Sequence, residues 1–158
     1  MNYQAKLPVP FGVLGIRCTH DELTGDALTG IDFLPAGEES QQPSNTFAKA
    51  VCKQLLDYVK NPSTQFSVPI KLCGTPHQQK VWKSLLAIPR GETRSYGELA
   101  AELKSGAQAV GQACGGNLIP IIIPCHRVIS KTGLGGFMRH ASGVSLDIKR
   151  WLLAHEQR

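Results

Sequence analysis

The chain contains no stretch approaching the roughly 20 apolar residues needed to cross a bilayer, and its N-terminus lacks the basic-then-apolar pattern of a secretory signal. Together these absences make the cytoplasm the expected compartment, with no membrane partner. There is also no C-x-x-C spacing, and the five cysteines, at 18, 52, 73, 114 and 125, are odd in number. That argues against a disulfide framework and against a structural zinc site, so a reducing compartment and no metal are expected. Acidic residues are in deficit, 12 against 17 Lys and Arg, which gives a net charge of +5. A compact basic protein is drawn to polyanions. At 158 residues the chain is long enough to bury a real core, as one domain or two small ones.

What is present centres on Asn117 to Ser130. The run Ile121 to Ile123 is β-branched and closed by Pro120 and Pro124, which suits a short buried extended segment. It leads into Cys125-His126-Arg127, and Pro124, with its fixed φ, leaves the sulfur one orientation. Two readings of Cys125 stand. It is either a small buried hydrophobe or a nucleophile whose thiolate is favoured by the imidazole and guanidinium that follow. In a continuing strand His126 would point to the opposite face, so the second reading needs a turn here or a bridging water.

Ahead of this centre the pattern divides near residue 73. Turn signals at Phe11-Gly12 and Thr24-Gly25-Asp26 frame two expected strands, Val13 to Ile16 and Leu28 to Leu34. Phe47, Val51, Leu55 and Tyr58 recur at helical spacing between a cap near Ser44 and a stop at Asn61-Pro62. Phe66, Val68 and Ile70 alternate as one more strand. From Gly74 the chain is mostly helical. Thr75-Pro76 opens a helix with Val81, Trp82, Leu85, Leu86 and Ile88 as its core face, ended by Pro89-Arg90-Gly91. Ser95 and Glu98 have capping-box spacing, Lys104-Ser105-Gly106 is a turn, and Ala107 to Cys114 forms a second short helix. That helix closes at Gly115-Gly116-Asn117, residues that tolerate positive φ. The pair has helix-turn-helix proportions, and its second member carries Ala107, Ala109, Gly111 and Ala113, a slim surface with only Gln108 and Gln112 as polar reach. Such small residues serve either close approach to a nucleic-acid backbone or tight helix packing. A glycine-bearing loop from Ser130 to Val144 follows, and then a last helix from about Ser145 that places Glu156 near the apolar face. Glu156 is there either a solvated rim residue or a buried partner.

Pro124-Cys125-His126-Arg127-Val128, with Asn117 eight residues ahead and Ser95-Tyr96-Gly97-x-Leu99-Ala100 before it, resembles the O6-alkylguanine-DNA alkyltransferase family, strongly from about Gly74 to Glu156. The resemblance implies an α+β protein: residues 1–73 as a small antiparallel sheet with a helix, ribonuclease H-like, and 74–158 as a mostly helical domain of winged helix-turn-helix type. It implies a monomer, with cooperativity on DNA left open, that acts on double-stranded DNA carrying O6-alkylguanine. The alkyl group passes once and irreversibly to Cys125, without a cofactor, and O4-alkylthymine is a second candidate substrate. By the same resemblance Glu156 orients His126 as base, Tyr96 donates toward the leaving guanine and Asn117 is a hinge. Val128, Phe137 and Pro120 would border the base. Ala107, Gln108, Ala109, Gly111, Tyr96, Gly97 and Ser105 would meet DNA in the minor groove.

The sequence departs from the family at three places. Gln108 stands where an arginine usually fills the vacated stack, His77 replaces the phenylalanine after Thr-Pro, and the loop from Phe137 to Val144 does not follow the usual aromatic-x-Gly-Gly pattern. Two other classes compete. One is a sensor that binds alkylated DNA and leaves Cys125 idle, and the other is a thiol hydrolase that turns over without DNA.

Overall fold

Gly12 and Gly25 adopt φ of 138° and 85°, backbone that L side chains rarely take, and at both points the chain reverses. In the computed structural model, which describes residues 2–138 and 144–158, these reversals join β1 (Ala5–Val9), β2 (Gly12–Asp21) and β3 (Gly25–Leu34). The three strands form one antiparallel sheet in the order β1-β2-β3. Strand β1 has no counterpart among the expected strands, because Pro8 and its neighbours interrupt the alternation. A bulge between Arg17 and Cys18 shifts the β2–β3 register, and the Gln4 side chain accepts the Cys18 backbone N–H there at 2.7 Å. Helix α1 (Thr46–Lys60) starts at Asn45, whose side chain accepts from the Ala48 N–H, and ends at Asn61, close to the expected bounds. Its buried Ala48, Val51, Leu55 and Tyr58 join Leu14, Ile16, Leu28 and Ile31 of the sheet in one core. At ~1.5–3 kcal/mol per large buried side chain, this contact supplies most of the stabilisation of residues 1–72.

The expected strand at Phe66 to Ile70 is a correction. Its alternation is real, but it makes only a single bridge from Ile70 to Leu28. Pro69 contributes its carbonyl to the Leu28 N–H and has no N–H of its own, so the ladder cannot extend.

The chain divides into two compact units, Met1–Leu72 and Cys73–Arg158. In the second, α2 (Pro76–Leu86) begins with a full capping box between Thr75 and Gln78, with proline at its first turn. Val81, Trp82, Leu85 and Ile88 are buried as expected, whereas Leu86 is 44% exposed and leaves the core face. β4 (Arg94–Ser95) leads into α3 (Tyr96–Leu103), again with a reciprocal capping box, between Ser95 and Glu98. Lys104 turns the chain in the left-handed region, φ 54°, into α4 (Ala107–Gly115). The Trp82 indole donates to the Ala113 carbonyl at 2.9 Å and ties α2 to α4. β5 (Val128–Ile129) pairs in parallel with β4, and α5 (Val144–Glu156) completes the unit. Among the described residues the whole is a mixed α+β chain with a small antiparallel sheet and five α-helices, none long and apolar enough to cross a membrane.

Candidate active site

Residues 117–124 are almost entirely buried, as the apolar run requires, but they do not extend. Ile121–Ile123 is a turn, with the Ile123 N–H bonded to the Ile119 carbonyl and Ile121 at φ 75°. A β-branched residue in that region is a true outlier, of a kind that costs ~1–3 kcal/mol and persists only where the surroundings over-determine it. Asn117 supplies much of that determination. Its side-chain amide donates to the Ile123 carbonyl at 2.8 Å, and its oxygen accepts the Ile119 N–H at 3.0 Å, both buried. The positive φ expected at Gly115-Gly116-Asn117 is not found there, since Gly116 has φ −89°. The strained residue lies four positions on from Asn117, inside the loop.

Pro124, at φ −81° and ψ 66°, forms a tight inverse γ-turn that brings the Cys125 N–H onto the Ile123 carbonyl at 2.8 Å. Cys125–Arg127 then coil as one 3-10 turn. The chain therefore turns after the sulfur rather than continuing as a strand, and His126 and Arg127 swing toward α5. His126 Nε2 meets Glu156 Oε2 at 2.8 Å, and Arg127 binds the same carboxylate with Nε at 2.9 Å and Nη2 at 3.0 Å. Arg127 also donates to the Ile88 carbonyl, while Arg90 donates to the Glu156 carbonyl. The turn that ends α2 thus clasps the end of α5 and fixes where the carboxylate sits. Glu156 is 2% exposed and His126 0%, so the paired alternative for Glu156 is the one the fold adopts. Nδ1 of His126 is buried and, among the described residues, has no protein hydrogen-bond partner. Burial holds this imidazole below its ordinary value of 6.5, against the pull of Glu156.

The expectation that neighbouring cations lower the thiol is corrected. Burial pushes Cys125 up to about 11, with Asn117 and Lys149 acting against it, because Arg127 is spent on Glu156. Lys149 is a residue that helical spacing alone did not single out. It is 0% exposed, and its ammonium donates to the Val128 carbonyl at 2.6 Å and to the Gly136 carbonyl at 2.8 Å. A lysine at i+1 from the buried Ile148 on an otherwise amphipathic helix is the only trace it leaves in sequence.

A cavity of about 830 Å³ opens over Cys125, within the range of small-molecule sites. Tyr96, Gly97, Ala107, Gln108, Gly111 and Phe137, all expected near DNA or the base, line it with Cys125; Cys114, Gly136 and Met138 line it as well. Pro120, Val128, Ala109 and Ser105 do not border the cavity. Pro120 and Val128 are buried, and Ala109 is exposed. Tight packing explains only part of the small-residue run of α4: Ala113 is buried, its carbonyl accepting the Trp82 indole N–H. Ala107, Gln108 and Ala109 are exposed, and a Cβ on Gly111 would meet the Tyr96 ring at 3.9 Å, an ordinary contact. Gly135 is different. At φ 74° its added Cβ would lie 2.9 Å from Tyr96 Cε2, so glycine is required where the loop passes over the ring. Tyr96 in turn donates to the Gly136 carbonyl at 3.4 Å. Gly143 and the rest of 139–143 lie outside the described residues. Among the described residues no cluster of three or more His, Cys, Asp or Glu is placed to hold a metal ion.

Comparison with known proteins agrees with this geometry. Residues 76–158 match the family model described as 6-O-methylguanine DNA methyltransferase, DNA binding domain. The chain is 37% identical to the constitutive methylated-DNA--protein-cysteine methyltransferase of Bacillus subtilis (strain 168), over 99% of this chain and 96% of the relative. It is 44% identical to the Mycobacterium bovis methylated-DNA--protein-cysteine methyltransferase, over 84% and 82% respectively. The crystal structure of Mycobacterium tuberculosis O6-methylguanine methyltransferase superposes with a TM-score of 0.78 at 37% identity, covering 96% of this chain and 90% of that one. The structure of the mycobacterial protein in complex with DNA has the same TM-score. A buried cysteine at the floor of a cavity rimmed by a slim helix, in a chain this similar over nearly its whole length, belongs to the methylated-DNA--protein-cysteine methyltransferase family.

Proposed function

We propose that the protein repairs DNA directly, by moving the alkyl group of O6-alkylguanine in a duplex to Cys125 once per molecule. The observation that carries this reading is the placement of the Cys125 sulfur at the base of a cavity whose rim is the exposed, small-residue face of α4. A base inside a duplex cannot reach a buried sulfur, so the nucleotide must leave the stack, at a cost of a few kcal/mol. In this reading the second unit acts as a winged helix-turn-helix, with α4 in the minor groove and Ala107, Gln108, Ala109, Gly111, Gly97 and Ser105 nearest the DNA. The first unit is the ribonuclease H-like half.

His126, held by Glu156, takes the thiol proton through a water, which the partnerless Nδ1 is free to receive. The sulfur attacks the alkyl carbon, the S–C bond forms as the C–O6 bond breaks, and the leaving guanine gains a proton as Tyr96 donates toward it. Asn117 holds the loop that presents the thiol, and Phe137 closes the pocket over the base. A thioether is not hydrolysed under these conditions, so the protein is spent. It works as a monomer in the cytoplasm.

The test is intact mass after incubation with duplex carrying O6-methylguanine. One added methyl on the wild type, located at Cys125, and none on Cys125→Ser is the expected pair of results. Methylation that persists in Cys125→Ser, or DNA binding without any methyl gain in the wild type, would replace this reading with another acceptor or with a non-enzymatic sensor.

A further inference from the structure

A lysine is almost never fully buried unless something uses or compensates its charge. Lys149 is buried completely, and its ammonium sits on the carbonyls of Val128 and Gly136, the latter in the wall of the cavity that Cys125 shares. The groups around it are the Val128 and Gly136 carbonyls, the Tyr96 ring 6.0 Å away, the thiols of Cys125 and Cys114, and His126. Among the described residues both of its hydrogen-bond acceptors are backbone carbonyls. Of the carboxylates on the same helix, Glu156 is committed to His126 and Arg127, and Asp147 pairs with Arg150. Two carbonyls satisfy two of the three N–H donors, yet they carry no formal charge to balance the ammonium.

We propose that Lys149 is a positioning residue with two linked tasks: it clamps the Gly136 loop to Val128 at the pocket rim, and its ammonium is the countercharge that lets Cys125 ionise. This rests on Cys125 being the nucleophile, and it differs from the base role of His126, since the lysine stabilises the thiolate without taking its proton in the step. The electrostatics run in the same direction. Burial depresses Lys149 to about 8 while Cys125 and Cys114 pull it back up, and Lys149 in turn lowers both thiols. Burial also pushes Cys114 up, to about 12. Tyr96 is likewise raised to about 12 and remains a neutral donor beside it.

The experiment uses iodoacetamide on the free protein, so that its outcome is independent of DNA binding and of alkyl transfer. Carboxamidomethylation of Cys125 is followed against pH by peptide mass, which separates it from the exposed Cys73. In Lys149→Met the pH midpoint of Cys125 reactivity should rise by at least about one unit, with a rate near neutrality about ten-fold lower. If the midpoint stays put while only thermal stability falls, the lysine is a structural clamp and the proposal is overturned. Removing the lysine orphans two carbonyls, so a second arm leaves it in place. Charge coupling is reciprocal, and the Lys149 titration, read by NMR of Cε-labelled lysine, should move down in Cys125→Ser. An unchanged Lys149 midpoint in that variant would equally overturn the proposal. Failure of either arm leaves the methyl-transfer assay on duplex DNA untouched, so the two ideas fall separately.

Discussion

Asn117→Ala tests whether the loop before the thiol is held by side-chain hydrogen bonds or by packing. The substitution leaves the Ile119 N–H without its partner and the Ile123 carbonyl with the Cys125 N–H alone, in a site where Asn117 itself is 2% exposed. A buried polar group stripped of its only partner costs ~1–3 kcal/mol, and the Ile119 N–H is that group. For a unit of 60–100 residues each kcal/mol shifts Tm by ~4–8 °C, which puts the fall at ~4 °C or more. Ile121 adds to the effect, because its φ of 75° persists only while the loop is pinned, and once released it can relax toward negative φ. That relaxation would move the Ile123 carbonyl, which is the acceptor for the Cys125 N–H, so the sulfur should lose its orientation as well. Thermal melting by circular dichroism and single-turnover methyl transfer by intact mass would be measured on the same preparation, and both should decline. A Tm change under ~2 °C with full transfer would show that packing of the isoleucines alone sets the loop, and the hinge role would be wrong.

Gly135→Ala should cut repair of duplex substrate several-fold with little loss of DNA affinity, because its Cβ would push Tyr96 out of the rim at 2.9 Å; unchanged single-turnover rates would show that the ring is free to move. His126 makes stability acid-sensitive. Its folded value lies below 6.5, so the unfolded chain binds the proton first, and stability is complete above 6.5 and declines as pH falls beneath it. Denaturant midpoints between pH 7 and 5 should show that decline, and His126→Gln should flatten it; an equal slope in both proteins would assign it to other groups. Gln108→Arg should tighten duplex binding and speed its repair while scarcely altering reaction with free O6-alkylguanine, since only the duplex has a stack to open and phosphates to neutralise. No gain on duplex would mean that Gln108 already fills the gap, and Gln108→Ala would then slow duplex repair.

Local chemistry wrote several parts of this protein directly into its sequence. The capping boxes at Thr75-Gln78 and Ser95-Glu98, the caps of α1 and the strands β2 and β3 on either side of Gly25 depend on neighbours within a few residues, so spacing and turn chemistry were enough. The motif from Pro124 to Val128 and the slim helix ahead of it likewise marked the site and its class of substrate. What tertiary structure alone decided depends on partners far apart in the chain. Three isoleucines that read as a strand became a strained turn because Asn117 bonds both ends of it. An alternating segment at 66–70 found no second strand to pair with beyond Leu28. Arg127, adjacent to the thiol in sequence, was drawn away by a carboxylate 29 residues later. Lys149, ordinary in a helical pattern, became a buried charge only when α5 packed against β5 and the Gly136 loop, whose carbonyls take its N–H groups. Periodicity reports which face of an element is apolar, and it is silent on which polar groups meet once the faces close, because those meetings are set by packing rather than by sequence distance.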